Sequence, residues 1–146
     1  MAGIYIHVPF CRTRCIYCDF YTRTDLSPKE GYVDALCKEI MLRGEYLDGK
    51  IVETIYFGGG TPSLLKENDF DRIFSSLYAN FEIADNAEIT LEANPDDLSQ
   101  KYAELLGKQP INRLSIGIQS FDDKELKFLN IRHSAQEAIN AVNRCK

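Results

Sequence analysis

No stretch of the 146 residues approaches the roughly 20 consecutive apolar residues that a membrane-spanning helix needs. The opening segment, Met1-Ala-Gly-Ile-Tyr-Ile-His-Val-Pro9, lacks a basic n-region and a long apolar h-region, so it does not read as a secretory signal. These absences point to the cytoplasm. Basic excess is missing as well. Lys and Arg number 17 against 22 Asp and Glu, a formal net charge of -5. Binding to a phosphate backbone rests mostly on neutralisation by Lys and Arg, so no nucleic-acid partner is expected. No strong internal repeat, low-complexity tract or domain linker interrupts the chain. An even, spread-out set of cysteines is absent too. There are five, and Cys11, Cys15 and Cys18 fall close together. That argues against a disulfide framework and, in a reducing cytosol, for metal or redox chemistry.

What is present suits one ordinary domain. Hydrophobic residues make up 45% and charged residues 27%, compatible with a buried core and a solvated surface. Strand and helix patterns alternate. A short β-rich run, Ile4–Val8, leads into the cysteine loop. Ser27-Pro28-Lys29-Glu30 predicts a helix start, with Ser as N-cap, Pro at the first helical position and Glu completing a capping box. Val33, Leu36, Ile40 and Leu47 then recur at near-helical spacing. A second strand, 52–57, stops at Gly58-Gly59-Gly60-Thr61-Pro62. A helix over 66–81 carries Phe70, Ile73, Leu77 and Phe81 on one face. A third strand over 88–93 ends at Asn94-Pro95, and a helix over 99–106 closes at Gly107. A fourth strand is expected over 112–118, a helical stretch over 122–129, and a last helix from Ser134-x-x-Glu137 to the final residue. Successive strand–helix units predict an α/β fold with parallel strands and helical crossovers. Four units cannot close an eightfold barrel, so a fragment of a longer barrel is the preferred reading over an open sheet.

Cys11-Arg-Thr-Arg-Cys15-Ile-Tyr-Cys18 has the spacing C-x3-C-x2-C. Thiolates are soft donors suited to iron–sulfur clusters or zinc. Three cysteines with no fourth nearby leave one iron of a four-iron cluster open, whereas electron-transfer clusters usually take four. A structural zinc site completed by His7 stays open as an alternative, as do unliganded cysteines. The loop follows a strand directly, on the edge where parallel α/β folds build their sites. Gly58-Gly59-Gly60 offers bare backbone, which favours close approach of a ligand over a simple tight turn. Glu92 reads as a solvated strand end or a site carboxylate. Gln119 reads as a helix cap or a site amide. Tyr5 and His7 share one face of the first strand, opposite Ile4, Ile6 and Val8. Cys37, beside Val33, Leu36 and Ile40, reads as a small buried hydrophobe.

The run from Gly3 to Cys18, with Tyr17 before the last cysteine, resembles the opening of the radical S-adenosylmethionine (SAM) superfamily. Tyr56-Phe-Gly-Gly-Gly-Thr-Pro62, Glu92-Ala-Asn-Pro95 and Ser115-Ile-Gly-Ile-Gln-Ser-Phe121 resemble its branch containing oxygen-independent coproporphyrinogen III oxidase and the haem chaperone HemW. The matches follow in order over nearly the whole chain. The resemblance implies the N-terminal part of a partial parallel (β/α) barrel over residues 1–146, about four β/α units. The rest of the barrel and a C-terminal domain would lie outside it. It implies a [4Fe-4S] cluster on Cys11, Cys15 and Cys18, with SAM chelating the open iron. One electron, from a donor such as flavodoxin or ferredoxin, would cleave the sulfur–C5′ bond to methionine and a 5′-deoxyadenosyl radical.

By the same resemblance Gly59, Gly60 and Thr61 receive the SAM amino group. Glu92 faces SAM, Gln119 hydrogen-bonds its ribose, Tyr5 lies at the SAM site, and Tyr17 packs on the adenine or the cluster. HemW-type relatives read Gly-Arg-x-His after the fourth strand. Here the text is Asn130-Ile131-Arg132-His133, with Arg132 one place later, so its approach to the SAM carboxylate is in question. The oxidase usually carries a further cysteine where this chain has Phe20, and an N-terminal extension before the first strand. Both differences favour a HemW-like haem chaperone over the oxidase, which decarboxylates porphyrinogen propionates. Partners so implied are SAM and haem or porphyrinogen, with membrane association only through a haem-receiving protein. A non-catalytic metal-binding module is the remaining alternative.

Overall fold

The computed structural model describes residues 2–146. Four strands, β1 (Ala2–Val8), β2 (Val52–Gly59), β3 (Ile83–Ala93) and β4 (Arg113–Ile116), form one sheet in the order β1-β2-β3-β4. Every pairing is parallel. The sheet is open, as expected of a partial barrel. Register puts Ile6 beside Phe57, Phe57 beside Leu91 and Leu91 beside Leu114. Because side chains alternate across a strand, this apolar row turns to the helices. Tyr5, Tyr56, Thr90 and Arg113 form the next row and face the other way.

The helices are α1 (Lys29–Leu42), α2 (Glu67–Asn80), α3 (Gln100–Leu106), α4 (Asp123–Phe128) and α5 (Ala135–Arg144). One core lies between the sheet and its helices, built on Val8, Ile55, Phe57, Phe70, Ile73, Leu77 and Leu91. Phe57 meets Phe70 edge-on at 6.1 Å and Phe74 at 5.6 Å between ring centroids. Cys37 is half-buried against this core. No helix among the described residues is long and apolar enough to cross a membrane.

Several element ends differ from the sequence expectation, each for a local reason. The α1 capping box does not form: Pro28 is the N-cap, with no side-chain cap. The Ser27 N–H instead donates to Asp25 Oδ1 at 2.9 Å, a turn that competes with the helical cap. Leu47 lies beyond α1 among turns, though it still packs on the core. β2 continues through Gly58 and Gly59 because they pair with His7 and Val8. β3 begins at Ile83, which pairs with Val52. β4 is short because the Asn112 side chain takes over the ladder: its Oδ1 accepts from Ile89 N–H and its Nδ2 donates to Ala87 O, both at 2.8 Å. The capping box at Ser134 and Glu137 forms as expected, and α5 ends at Arg144.

Phe57→Ala empties the centre of the aromatic cluster, so a loss of about 3–5 kcal/mol is expected in a urea titration. An unchanged midpoint would contradict this packing.

Candidate functional site

The C-terminal ends of all four strands meet around a cavity of about 290 Å³. From the loop after β1 come Cys11, Cys15, Tyr17 and Cys18. The end of β2 supplies Gly59, Gly60 and Thr61. Glu92 and Asn94 stand at the end of β3, and Gln119, Asn130, Arg132 and His133 follow β4. Ten of the eleven expected site residues therefore share one space. The exception is Tyr5. It is 58% exposed and stands one step away, its hydroxyl 3.1 Å from His7 Nδ1 and its ring 6.1 Å from that of Tyr56.

The glycine run has structural reasons of its own. Gly59 takes a left-handed φ of 106°, and a Cβ there would meet the His7 ring at 2.5 Å. At Gly60 a Cβ would meet Phe10 O at 2.7 Å and Val8 O at 2.8 Å. The Gly60 N–H itself donates to Val8 O at 2.8 Å. So β2 ends pressed against the start of the cysteine loop, and only glycine allows that approach.

Polar contacts hold the rim together. Glu92 accepts from Tyr56 O–H at 2.7 Å and from Gly59 N–H at 3.2 Å. The Glu92 carboxylate raises the Tyr56 pKa through that hydrogen bond. The Thr61 hydroxyl donates to Cys11 Sγ at 3.3 Å, and Asn94 Nδ2 donates to Thr61 Oγ1 at 3.3 Å. Arg12 Nε donates to Asp97 at 3.2 Å, tying the cysteine loop to the turn after β3. Asp97 also accepts from Ser63 Oγ at 2.9 Å, and burial pushes its carboxyl up.

Arg132 lines the cavity but pairs with Asp96, with Asp97 Oδ1 at 3.7 Å. The shifted arginine thus reaches the site while its guanidinium is held by two carboxylates. Tyr56, Ser63, Asn94, Asp97 and His133 also belong to the rim through these contacts, and no local sequence pattern marks them as site residues. Asn94 stood in the Glu92-Ala-Asn-Pro95 segment, where it read only as a strand terminator.

The cysteine loop docks on the segment after α4. Asn130 Nδ2 donates to Arg14 O at 3.0 Å, and Ile16 N–H to Leu129 O at 3.4 Å. Asn130 has a φ of 59°. Ile131 N–H bonds Leu126 O and Asn130 N–H bonds Lys127 O, the pair of bonds of a Schellman helix end.

The donor set fits a cluster. Cys11, Cys15 and Cys18 all face the cavity, and none is in a disulfide. Burial raises the Cys11 thiol, the Thr61 hydroxyl draws it down, and Cys18 and Cys15 raise it again, so the three sulfurs feel one another. Burial likewise raises Cys15, with Tyr17 and Arg132 opposing. Tyr17 is pushed up to about 12 by burial and then by Cys15. Among the described residues no three of His, Cys, Asp and Glu are gathered as a single ion requires. A four-iron cluster instead puts each thiolate on a different iron, around a wider body. The zinc alternative loses its fourth ligand, because His7 Nε2 bonds Tyr21 O at 3.0 Å and Nδ1 faces Tyr5.

Residues 5–146 match the Radical SAM superfamily, and the chain belongs to that family. It is 38% identical over 146 residues to the heme chaperone HemW of Buchnera aphidicola subsp. Schizaphis graminum, covering 99% of this chain and 39% of that protein. With HemW of Escherichia coli K12 it shares 38% over 142 residues, covering 96% and 38%. Among solved structures it is similar to coproporphyrinogen III oxidase (HemN) from Escherichia coli, a radical SAM enzyme. The TM-score is 0.89 at 30% identity, over 98% of this chain and 33% of that one. The chain spans about two fifths of the length of the curated relatives. Membership of the family implies a [4Fe-4S] cluster and SAM.

Burial raises the Cys11 and Cys15 thiols above the range of a free cysteine, which disfavours the thiolate in the metal-free protein. The pH of half-maximal alkylation, read by mass spectrometry, is therefore expected to be higher for each than for a free cysteine in a short peptide; a lower midpoint would contradict the burial of the loop. Thr61→Val removes a donor that lowers Cys11 and moves its midpoint further up; a downward shift would contradict the bond. At Asn130, a Gly substitution loses only the side-chain bond, about 1 kcal/mol. Ala adds left-handed strain of roughly 1–2 kcal/mol, so urea midpoints should fall in the order Asn, Gly, Ala.

Proposed function

We propose that this chain is the cluster- and SAM-binding N-terminal part of a HemW-like haem chaperone. The observation that carries the reading is the convergence of three free cysteines with Glu92, Gln119 and a glycine-lined strand end in one cavity. For the branch, identity to the curated HemW proteins runs from 33% to 38%, against 30% to the solved oxidase. Phe20 is 65% exposed on the cavity wall, and by resemblance it takes the place where the oxidase usually carries a further cysteine.

Cys11, Cys15 and Cys18 would hold the cluster, which supplies one-electron chemistry and an open coordination place for SAM. The protein's own residues bind, orient and shield. Gly59, Gly60 and Thr61 take the amino group of SAM through backbone and hydroxyl groups. Glu92, already fixed by Tyr56, presents a carboxylate beside them. The Gln119 amide both donates and accepts, as a ribose diol requires. Tyr17 closes one wall, and Tyr5 supports Glu92 through Tyr56. Arg132, divided between Asp96 and Asp97, takes the SAM carboxylate only by sharing its charge. Haem delivery to a partner, with membrane contact only through that partner, is the cytoplasmic role this reading assigns. A flavodoxin- or ferredoxin-like protein would donate the electron.

The similarity to HemN keeps coproporphyrinogen oxidation as the second reading. Anaerobic reconstitution should give iron and sulfide in equal amounts, and an EPR signal that changes when SAM is added. Cys15→Ala should abolish both. Haem titration of the full-length protein beside a coproporphyrinogen assay separates the branches. Haem binding without vinyl product is expected; vinyl product would transfer the protein to the oxidase branch.

A further inference from the structure

Gln119 stands in an uncommon piece of backbone. Its φ is 68°, left-handed for a residue with a Cβ. The Ser120 N–H donates to Ile118 O at 2.9 Å, across Gln119 alone. A three-residue turn of this hand is rare and strained. A three-residue turn of the opposite, common hand precedes it, with Ile118 N–H on Ile116 O at 3.0 Å across Gly117, so the strain sits at Gln119 alone. Gly117 also leaves room for the amide: a Cβ there would lie 3.1 Å from Gln119 Nε2. Strained backbone of this kind persists only when its surroundings over-determine it.

The surrounding group is His133. It is 4% exposed, lines the cavity, and its Nε2 lies 3.0 Å from Ile118 O. A carbonyl oxygen only accepts, so Nε2 must carry the proton. Ile118 O therefore receives two donors, the Ser120 amide and the His133 ring, at the residue that opens the strained turn. His133 is itself firmly placed, directly before the capping box that starts α5.

We propose that His133 is a positioning residue for Gln119: its ring N–H clamps the Ile118 carbonyl and so keeps the turn that aims the Gln119 amide into the cavity. This rests on the reading that Gln119 contacts SAM. Measuring the Kd for SAM of the cluster-loaded full-length protein tests both, in the wild type, Gln119→Ala, His133→Ala and the double variant. Each single change should weaken binding about five- to tenfold, roughly one hydrogen bond. The double variant should be no weaker than Gln119→Ala, because His133 acts only through Gln119. His133→Gln, whose amide also donates, should recover most of the affinity. If Gln119→Ala weakens SAM binding while a folded His133→Ala does not, or if the two effects add, the positioning role is wrong and the Gln119 reading survives. If Gln119→Ala binds like the wild type, both fall. Should His133→Ala not fold, nitrogen NMR of the wild-type imidazole decides: a protonated Nε2 is expected, and a bare Nε2 overturns the clamp.

Discussion

The whole rim depends on how closely the end of β2 approaches the end of β1. Gly60 N–H reaches Val8 O at 2.8 Å, and its missing Cβ leaves room for the backbone of Phe10. One residue earlier the His7 ring occupies the space a Gly59 side chain would need. This contact fixes where the cysteine loop leaves the sheet. It also brings the Gly59 N–H to Glu92 and the Thr61 hydroxyl to Cys11. A side chain at Gly60 would push against backbone rather than a movable side chain, so the loop itself would have to shift. Bare glycine backbone, expected mainly to admit a ligand, first of all admits the protein to itself.

From that contact a polar web spreads across the strand ends. Tyr56 orients Glu92, Asn94 orients Thr61, and Asp97 gathers Arg12 and Ser63. No buried side-chain nitrogen or oxygen is left without a partner among the described residues. Breaking one such bond leaves the other group unsatisfied, at a cost of about 1–3 kcal/mol. The web therefore favours one arrangement of the rim. The segment after β4 completes it from the far side, through Asn130 on the cysteine loop and His133 on the Gln119 turn.

Much of this was legible in the sequence. Apolar runs ending at glycine, proline or polar residues marked the strands, and parallel order placed their ends on one rim. Local motifs therefore announced the site, and all but Tyr5 of the expected residues line the cavity. What stayed hidden was long-range or conformational. Asp97 reads as one of many surface acids until folding buries it beneath Arg12. His133 reads as a residue before a helix cap, and nothing local says that it reaches Ile118. Gln119 gives no sign of its left-handed backbone, a conformation in which glycine would be expected. At the element ends, side chains overrode pattern: Asp25 replaced the Ser27 cap, and Asn112 replaced strand pairing. Strand alternation gives the face of Tyr5 but not its depth, and its ring lies in the Tyr56 row, one step from the cavity.

The central claim is that three cysteines hold a four-iron cluster whose remaining iron opens onto the pocket of Glu92 and Gln119. Mössbauer spectroscopy of protein reconstituted with ⁵⁷Fe, recorded with and without SAM, tests it most directly. One iron of the four should separate from the others and change its parameters when SAM is added. Four equivalent irons, indifferent to SAM, would contradict the account.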